Sequence, residues 1–301
     1  MIRSSRSNDQ IVTKARDSAI LYFIPFVIVA VASIGPLVWA SLASIGLCGT
    51  YSRAGNTALE PYHALLESGR PAMFAQVIVR ALSVGSIDAI LAVLISYTLV
   101  RGMGLRLRRA CLVAFTAPFL VSDATRAFGW ATILGEKGWL SKCLLWAHIL
   151  KHPYHGFLYT GSAPDLALIA ATIPIPICVI FGALQLIPEN LWKASMECGA
   201  TPRTEFWRMV LPQLWTSVWL AALTGCFLTF GAGEEVSTLG GSHDISLPRI
   251  IDDLLSAGRI SSVFATCSII FLVIAAAMVG ARAVQLFPLI AKAANSGSDD
   301  A

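Results

Sequence analysis

Six stretches of about 20 mostly apolar residues constrain this chain more than any other feature. They lie at roughly 19–44, 79–100, 110–133, 166–187, 214–233 and 261–281. In hydrocarbon no water is present to satisfy backbone N–H and C=O groups, so such a stretch must close its own hydrogen bonds as a helix. Charged residues make up 13% of the chain and hydrophobic ones 56%, whereas a soluble domain carries about 25% charged residues. The expected fold is an all-α membrane protein with six transmembrane helices. The first run is too long for the apolar core of a signal peptide and lacks a convincing A-x-A cleavage site, so it reads as a retained span.

Lys and Arg set the orientation. They collect in the N-terminal tail (Arg3, Arg6, Lys14, Arg16), in the 101–109 loop (Arg101, Arg106, Arg108, Arg109), in residues 188–212 (Lys193, Arg203, Arg208) and beyond the last span (Arg282, Lys292). With six spans these four segments fall on one side. The expectation is a cytoplasmic tail at 1–18, one transmembrane domain at 19–281 and a second cytoplasmic tail at 282–301. The net charge of +4 carries no nucleic-acid signal, because the basic residues flank spans. The outer loops, roughly 45–78, 134–165 and 234–260, are long enough for short interfacial helices. The turn Gly135–Trp139 opens one of them, with Trp139 and Trp146 suited to headgroup depth. Pro118, Pro174 and Pro176 fall inside spans three and four and imply kinks. Gly85, Ser86, Gly225 and Gly231 are small enough for close helix packing. Seven cysteines are scattered without C-x-x-C spacing and read as small buried side chains. The tail from Ala293 onward is small, polar and expected to be disordered.

Between the fourth and fifth runs lies a polar island, 188–212, patterned for helices. Leu191, Ala194, Ser195 and Cys198 fall on one helical face, and Glu189, Lys193 and Glu197 on another. Gly199 is placed to stop the first helix. Thr201 can cap a second, with Pro202 at its first position, and Leu211-Pro212 is expected to end it where apolar sequence resumes.

The island has the spacing E-A-A-x-x-x-G-x(9)-I-x-L-P and so resembles the permease subunits of ATP-binding-cassette importers. The matching residues read Lys193-Ala194-Ser195, Gly199 and Met209-x-Leu211-Pro212. Lys193 stands where the family has an acidic residue, Ser195 where it has Ala, and Met209 where it has Ile. The segments 57–101, Pro118–Leu140 and Gly233–Gly241 are similar to the spermidine/putrescine branch of the same family. The resemblance implies a type I-like, binding-protein-dependent importer permease in which 188–212 is a cytoplasmic coupling-helix loop seated on an ATPase. On that reading Lys193, Ala194, Ser195, Gly199, Ala200, Leu211 and Pro212 are the ATPase-coupling residues. The implied partners are a cytoplasmic ATP-binding-cassette ATPase dimer, a second permease subunit (the same chain or a related one), a periplasmic solute-binding protein and the lipid bilayer. The chain has no G-x(4)-G-K-[ST] phosphate loop, so ATP is expected to be used by the partner, with no cofactor bound here. The implied substrate is a polyamine such as putrescine or spermidine, with phosphonate or an iron complex as the alternative.

Charged groups at membrane depth face a cavity or a partner. Asp88, Asp123, Arg126, Glu234 and Glu235 are such groups, and Trp130 lies one helical turn beyond Arg126. Two readings stand for each. The carboxylates and the Trp130 ring can line a pathway for a cation; alternatively Asp123 and Arg126 neutralise each other, Glu234 and Glu235 are solvated, and Asp88 pairs with a neighbouring helix. An ion-coupled secondary carrier is the other transport class, but it leaves the island without a purpose. No catalytic residues and no metal site are expected, since no H-E-x-x-H pattern occurs and His148, His152 and His155 sit in an outer loop. The chain reads as a transporter subunit, not an enzyme.

Overall fold

The computed structural model describes residues 27, 31–32, 35–36, 38–45, 60–67, 70–135, 138–147, 158–159, 162–241 and 244–296, with backbone alone from 281 on. The N-terminal tail, most of the first apolar run, the three outer-loop histidines and residues 297–301 lie outside them. The helices are α1 (Glu60–Glu67), α2 (Arg70–Gly102), α3 (Leu105–Thr116), α4 (Asp123–Leu134), α5 (Trp139–Trp146), α6 (Ser162–Thr172), α7 (Pro174–Gln185) and α8 (Glu189–Glu197). They are followed by α9 (Pro202–Gly231), α10 (Glu234–Gly240), α11 (Leu247–Ser256) and α12 (Ile260–Ser296). No strand occurs among the described residues. The fold is all-α, as expected.

Three helical segments are long and apolar enough to cross a membrane, Pro71–Gly102, Pro202–Gly231 and Ile260–Ala277. The third and fourth runs are broken rather than straight. Leu105–Leu120 and Asp123–Trp146 meet at 102°, and Ser162–Thr172 and Pro174–Gln185 meet at 43°. Counting each bent pair as one span gives five among the described residues. The second bend has the expected cause: Pro174 offers no N–H, and its ring displaces the carbonyl four residues back. In the third run, Pro118 lies in a 3₁₀ turn, Ala117–Leu120, after which Val121 and Ser122 are extended. The expected single helix over 110–133 is therefore replaced by two.

Element ends also differ from the sequence reading. The second span begins at Arg70, so 70–78 is helix rather than outer loop. Helix α12 continues past 281 to Ser296, across the start of the expected C-terminal tail and of its disordered end.

The chain divides into two compact units, residues 68–253 with 274–301, and 1–67 with 254–273. In the smaller, the buried Ser44 hydroxyl joins Tyr62 (2.7 Å) and Ser268 (3.1 Å). In the larger, α2, α7 and α9 pack around Ala89, Ala92, Ile177, Ile180, Leu184 and Leu214. Helices α2 and α9 approach closely because two glycines face each other: a Cβ on Gly225 would lie 3.0 Å from the Gly85 Cα. That pair performs the expected packing role. Ser86 and Gly231 do not; both are exposed, and nothing approaches Gly231 within 4 Å.

Candidate functional site

The island folds as two helical pieces around a sharp turn. Glu189–Glu197 is helical, and Gly199 closes it with φ +68°. The Gly199 N–H donates to the Met196 carbonyl (2.9 Å) and the Ala200 N–H to the Ser195 carbonyl (3.0 Å), the paired bonds of a Schellman stop. A side chain at this φ is strained, which is why glycine stands here. The Thr201 hydroxyl accepts from the Thr204 N–H (3.3 Å), with Pro202 in the first turn, so the second start is also as read.

One local expectation is corrected. Leu211-Pro212 does not end the second helix: it runs on to Gly231 through one π turn at Phe206–Val210. There the Leu211 N–H reaches back to the Phe206 carbonyl, which gives the Pro212 ring room without breaking the rod. Of the face shared by Leu191, Ala194, Ser195 and Cys198, only Ser195 turns toward the bundle. No residue of α8 is fully buried; Trp192 and Ser195 are half-buried, while Leu191, Lys193, Ala194 and Cys198 are exposed. Gly199 and Pro212 are exposed too, with Ala200 and Leu211 half-buried.

Ser195 is held by a residue the sequence reading missed. Glu205 is 2% exposed, and its Oε2 accepts from Arg101 Nη2 (2.8 Å) and Ser195 Oγ (3.2 Å). The Tyr97 hydroxyl donates to the Glu205 Oε1 (3.4 Å) and the Pro202 carbonyl (3.2 Å). The Arg101 guanidinium lies over the Trp192 ring, 5.2 Å from its centre, and Tyr97 meets Phe206 edge-on at 5.0 Å. Only the Tyr97/Arg101 spacing at one end of a span hinted at this cluster; the carboxylate is 104 residues away from Arg101.

A second cluster forms at the break in the third run. Arg126 Nη2 lies 2.6 Å from Asp123 and 3.1 Å from Glu235, and Nη1 donates to the Val121 carbonyl (3.0 Å). One guanidinium thus satisfies a backbone oxygen freed by the break and neutralises two carboxylates of opposite exposure: the Asp123 side chain is 57% exposed and that of Glu235 0%. Asp123 and Arg126 share a helix face as expected, and Glu235 is buried rather than solvated. Glu234 is exposed and apart. Trp130 packs half-buried against Leu134, Ala163, Ala167 and Leu239.

Asp88 belongs to neither cluster. It is 0% exposed, and its Oδ2 accepts from the Thr172 hydroxyl at 2.5 Å. Its Oδ1 has no partner. No salt bridge reaches it among the described residues, so the expectation of a neighbouring counter-charge fails. Instead, Arg80 supplies an unforeseen ion-paired centre, with Asp165 at 2.8 Å and Asp244 at 2.7 Å. Its presence inside an apolar helix was the available signal. Trp139 and Trp146, at the two ends of α5, are 70% and 85% exposed, which suits the interfacial role read for them. No group of three His, Cys, Asp or Glu side chains is placed to hold a metal among the described residues.

No family model matches the chain. The spermidine/putrescine transport system permease protein PotB of Haemophilus influenzae is 26% identical over 186 residues, 60% of this chain and 63% of that protein. PotB of Escherichia coli is 22% identical over 150 residues, 48% and 53% of the two chains. The probable sulfate transport system permease protein cysT of Marchantia polymorpha is 26% identical over 207 residues, 66% and 67%. The matches to the PotB proteins thus span less than two thirds of their length. Among solved structures, one chain of a bacterial ABC transporter involved in the import of the acidic polysaccharide alginate superposes with TM-score 0.66 at 16% identity, covering 91% of this chain and 99% of that one. The same kind of transporter, in complex with alginate pentasaccharide-bound periplasmic protein, gives TM-score 0.63 at 16% identity, covering 86% of this chain and 92% of that one. The resemblance read from the sequence is borne out: the chain shares the fold of a chain of a bacterial ABC transporter, and these sequence relatives are transport system permease proteins.

Proposed function

We propose that this chain is the transmembrane permease subunit of an ATP-driven bacterial importer, forming half of the translocation pathway for a small solute, with ATP hydrolysed by a separate subunit. The observation that carries this reading is the island. A helix–glycine–helix turn with most of its first helix on the surface, at the spacing of the coupling loop, is anchored through Glu205 to the bundle rather than left slack. The exposed Lys193, Ala194 and Gly199 are the surface such an ATPase would meet, with Lys193 facing a carboxylate where other permeases present an acidic residue. A second permease completes the pathway, a periplasmic binding protein delivers the solute, and both termini lie in the cytoplasm of an inner-membrane protein.

Within this reading the solute is a polyamine such as putrescine or spermidine. Support comes from the PotB relatives and from the Asp123–Arg126–Glu235 cluster, where two carboxylates outnumber one guanidinium and the surplus sits on the exposed Asp123. An anionic solute is the second reading, favoured by the similarity to a sulfate permease. Purification of the tagged chain from its own cells with a search for a co-purifying ATP-binding-cassette ATPase, followed by uptake of labelled putrescine and labelled sulfate into cells, tests both. Failure to retain the ATPase would remove the importer reading; sulfate uptake without putrescine uptake would replace the substrate.

A further inference from the structure

The junction between the island and the membrane contains a soft joint. Between Glu205 and Leu211 the helix makes its π turn, and Pro212 just beyond it has no N–H to return to the ladder. Turns of this kind interrupt the regular i→i−4 bonding and are where long helices kink. A push on the island, if it travelled only along the covalent chain, would be taken up there as bending.

Glu205 is the residue immediately before that joint. Its carboxylate binds Ser195 on α8 and both Tyr97 and Arg101 on α2. Beyond the joint, α2 and α9 meet again at Gly85 and Gly225. Helix α2 is therefore a straight strut in contact with the island below the π turn and with the bundle above it. The Glu205 carboxylate, 2% exposed, takes donors from Arg101, Ser195 and Tyr97 at once, and those three bonds together make a stiff connection although the Arg101 side chain is 33% exposed.

We propose that Glu205 is a positioning residue that latches the island to α2, so that displacement of the island is delivered to α2 instead of being absorbed at the π turn. The delivery part rests on the coupling role proposed above; the latch itself does not.

The test uses spin labels at Met196 and Ser83, both exposed, in a chain whose seven cysteines are replaced. Pulsed electron paramagnetic resonance then reads the island-to-α2 distance in the complex with its ATPase, without nucleotide and trapped with ATP and vanadate. The expected result is one narrow distribution, the same in both states, that broadens with Glu205→Gln. Arg101→Gln serves the same purpose should Glu205→Gln fail to fold. A distance that changes between the two states, or a distribution that stays narrow in the folded variant, overturns the latch. Loss of the ATPase during purification of the unlabelled, unsubstituted chain overturns the coupling role alone, because broadening by Glu205→Gln is read within a single chain.

Discussion

Arg126 holds Glu235 from a different helix, its Nη2 lying 3.1 Å from an oxygen of a carboxylate with no exposed surface. The same guanidinium satisfies the Val121 carbonyl left open where the third apolar run breaks. Charge pairing and backbone repair are thus carried out by one side chain, which ties the position of α10 to the shape of the break. The bend is therefore a feature of the tertiary fold, stabilised by residues more than one hundred positions apart.

Removing one partner of a buried ion pair leaves the other charge without compensation, typically at about 3–5 kcal/mol. Arg126→Met is expected to destabilise the detergent-solubilised protein by that order, and Arg126→Met combined with Glu235→Gln to recover most of the loss. Thermal unfolding of the two variants measures it. Equal loss in both would show that the pair is not the source of the effect.

Gly225 leaves no room for a side chain. A Cβ there would sit 2.9 Å from an Asp88 oxygen and 3.0 Å from the Gly85 Cα, and the second of these is backbone that cannot rotate away. Gly225→Val is expected to separate α2 from α9 and to lower the yield of folded protein sharply, whereas Gly231→Val, with open space around it, changes little. Size-exclusion profiles of the two variants in detergent decide the point; a monodisperse Gly225→Val protein at normal yield would refute the close crossing.

At Gly199 the space is open and only φ is special. Asp tolerates the left-handed region better than most residues, so Gly199→Asp keeps the turn while adding a charge to the exposed tip. Uptake should be lost with membrane insertion intact, as read by fractionation and transport of labelled solute. Normal uptake would count against the island as the ATPase contact.

Asp88→Asn removes a charge but retains an acceptor for the Thr172 hydroxyl. Because Asp88 has no exposed surface and lies inside the α2–α6–α9 packing, uptake of labelled putrescine is expected to stay near the unsubstituted rate, and Asp88→Leu to lower the folded yield by crowding the close approach at Gly225. A collapse of uptake in Asp88→Asn with folding unchanged would return Asp88 to the pathway, as the sequence reading had it.

The island shows how much of the candidate site was legible. The Gly199 stop and the Thr201 cap follow from local backbone chemistry, and both were readable because each involves residues within five positions of one another. The second end was misread: Leu211-Pro212 looks like a terminator, but a π turn lets a proline continue a helix, and nothing in the local pattern distinguishes the two outcomes. Which residues of α8 turn toward the bundle is likewise not a local property. Glu205 and Arg101 make that choice, holding Ser195 and Trp192 against the bundle.

Sequence alone determined what needs only the solvent and the neighbouring residues: helices in place of strands, membrane-length apolar segments, a glycine where φ is positive, and a helix–glycine–helix loop between two apolar runs. Tertiary structure decided which charges meet. Arg101 with Glu205, Arg126 with Glu235 and Arg80 with Asp244 are each separated by more than one hundred residues. A buried charged side chain needs a counter-charge or a hydrogen-bond donor whatever its place in the chain, as Arg126 finds in Glu235 and Asp88 in Thr172, while only the packing of the helices names that partner.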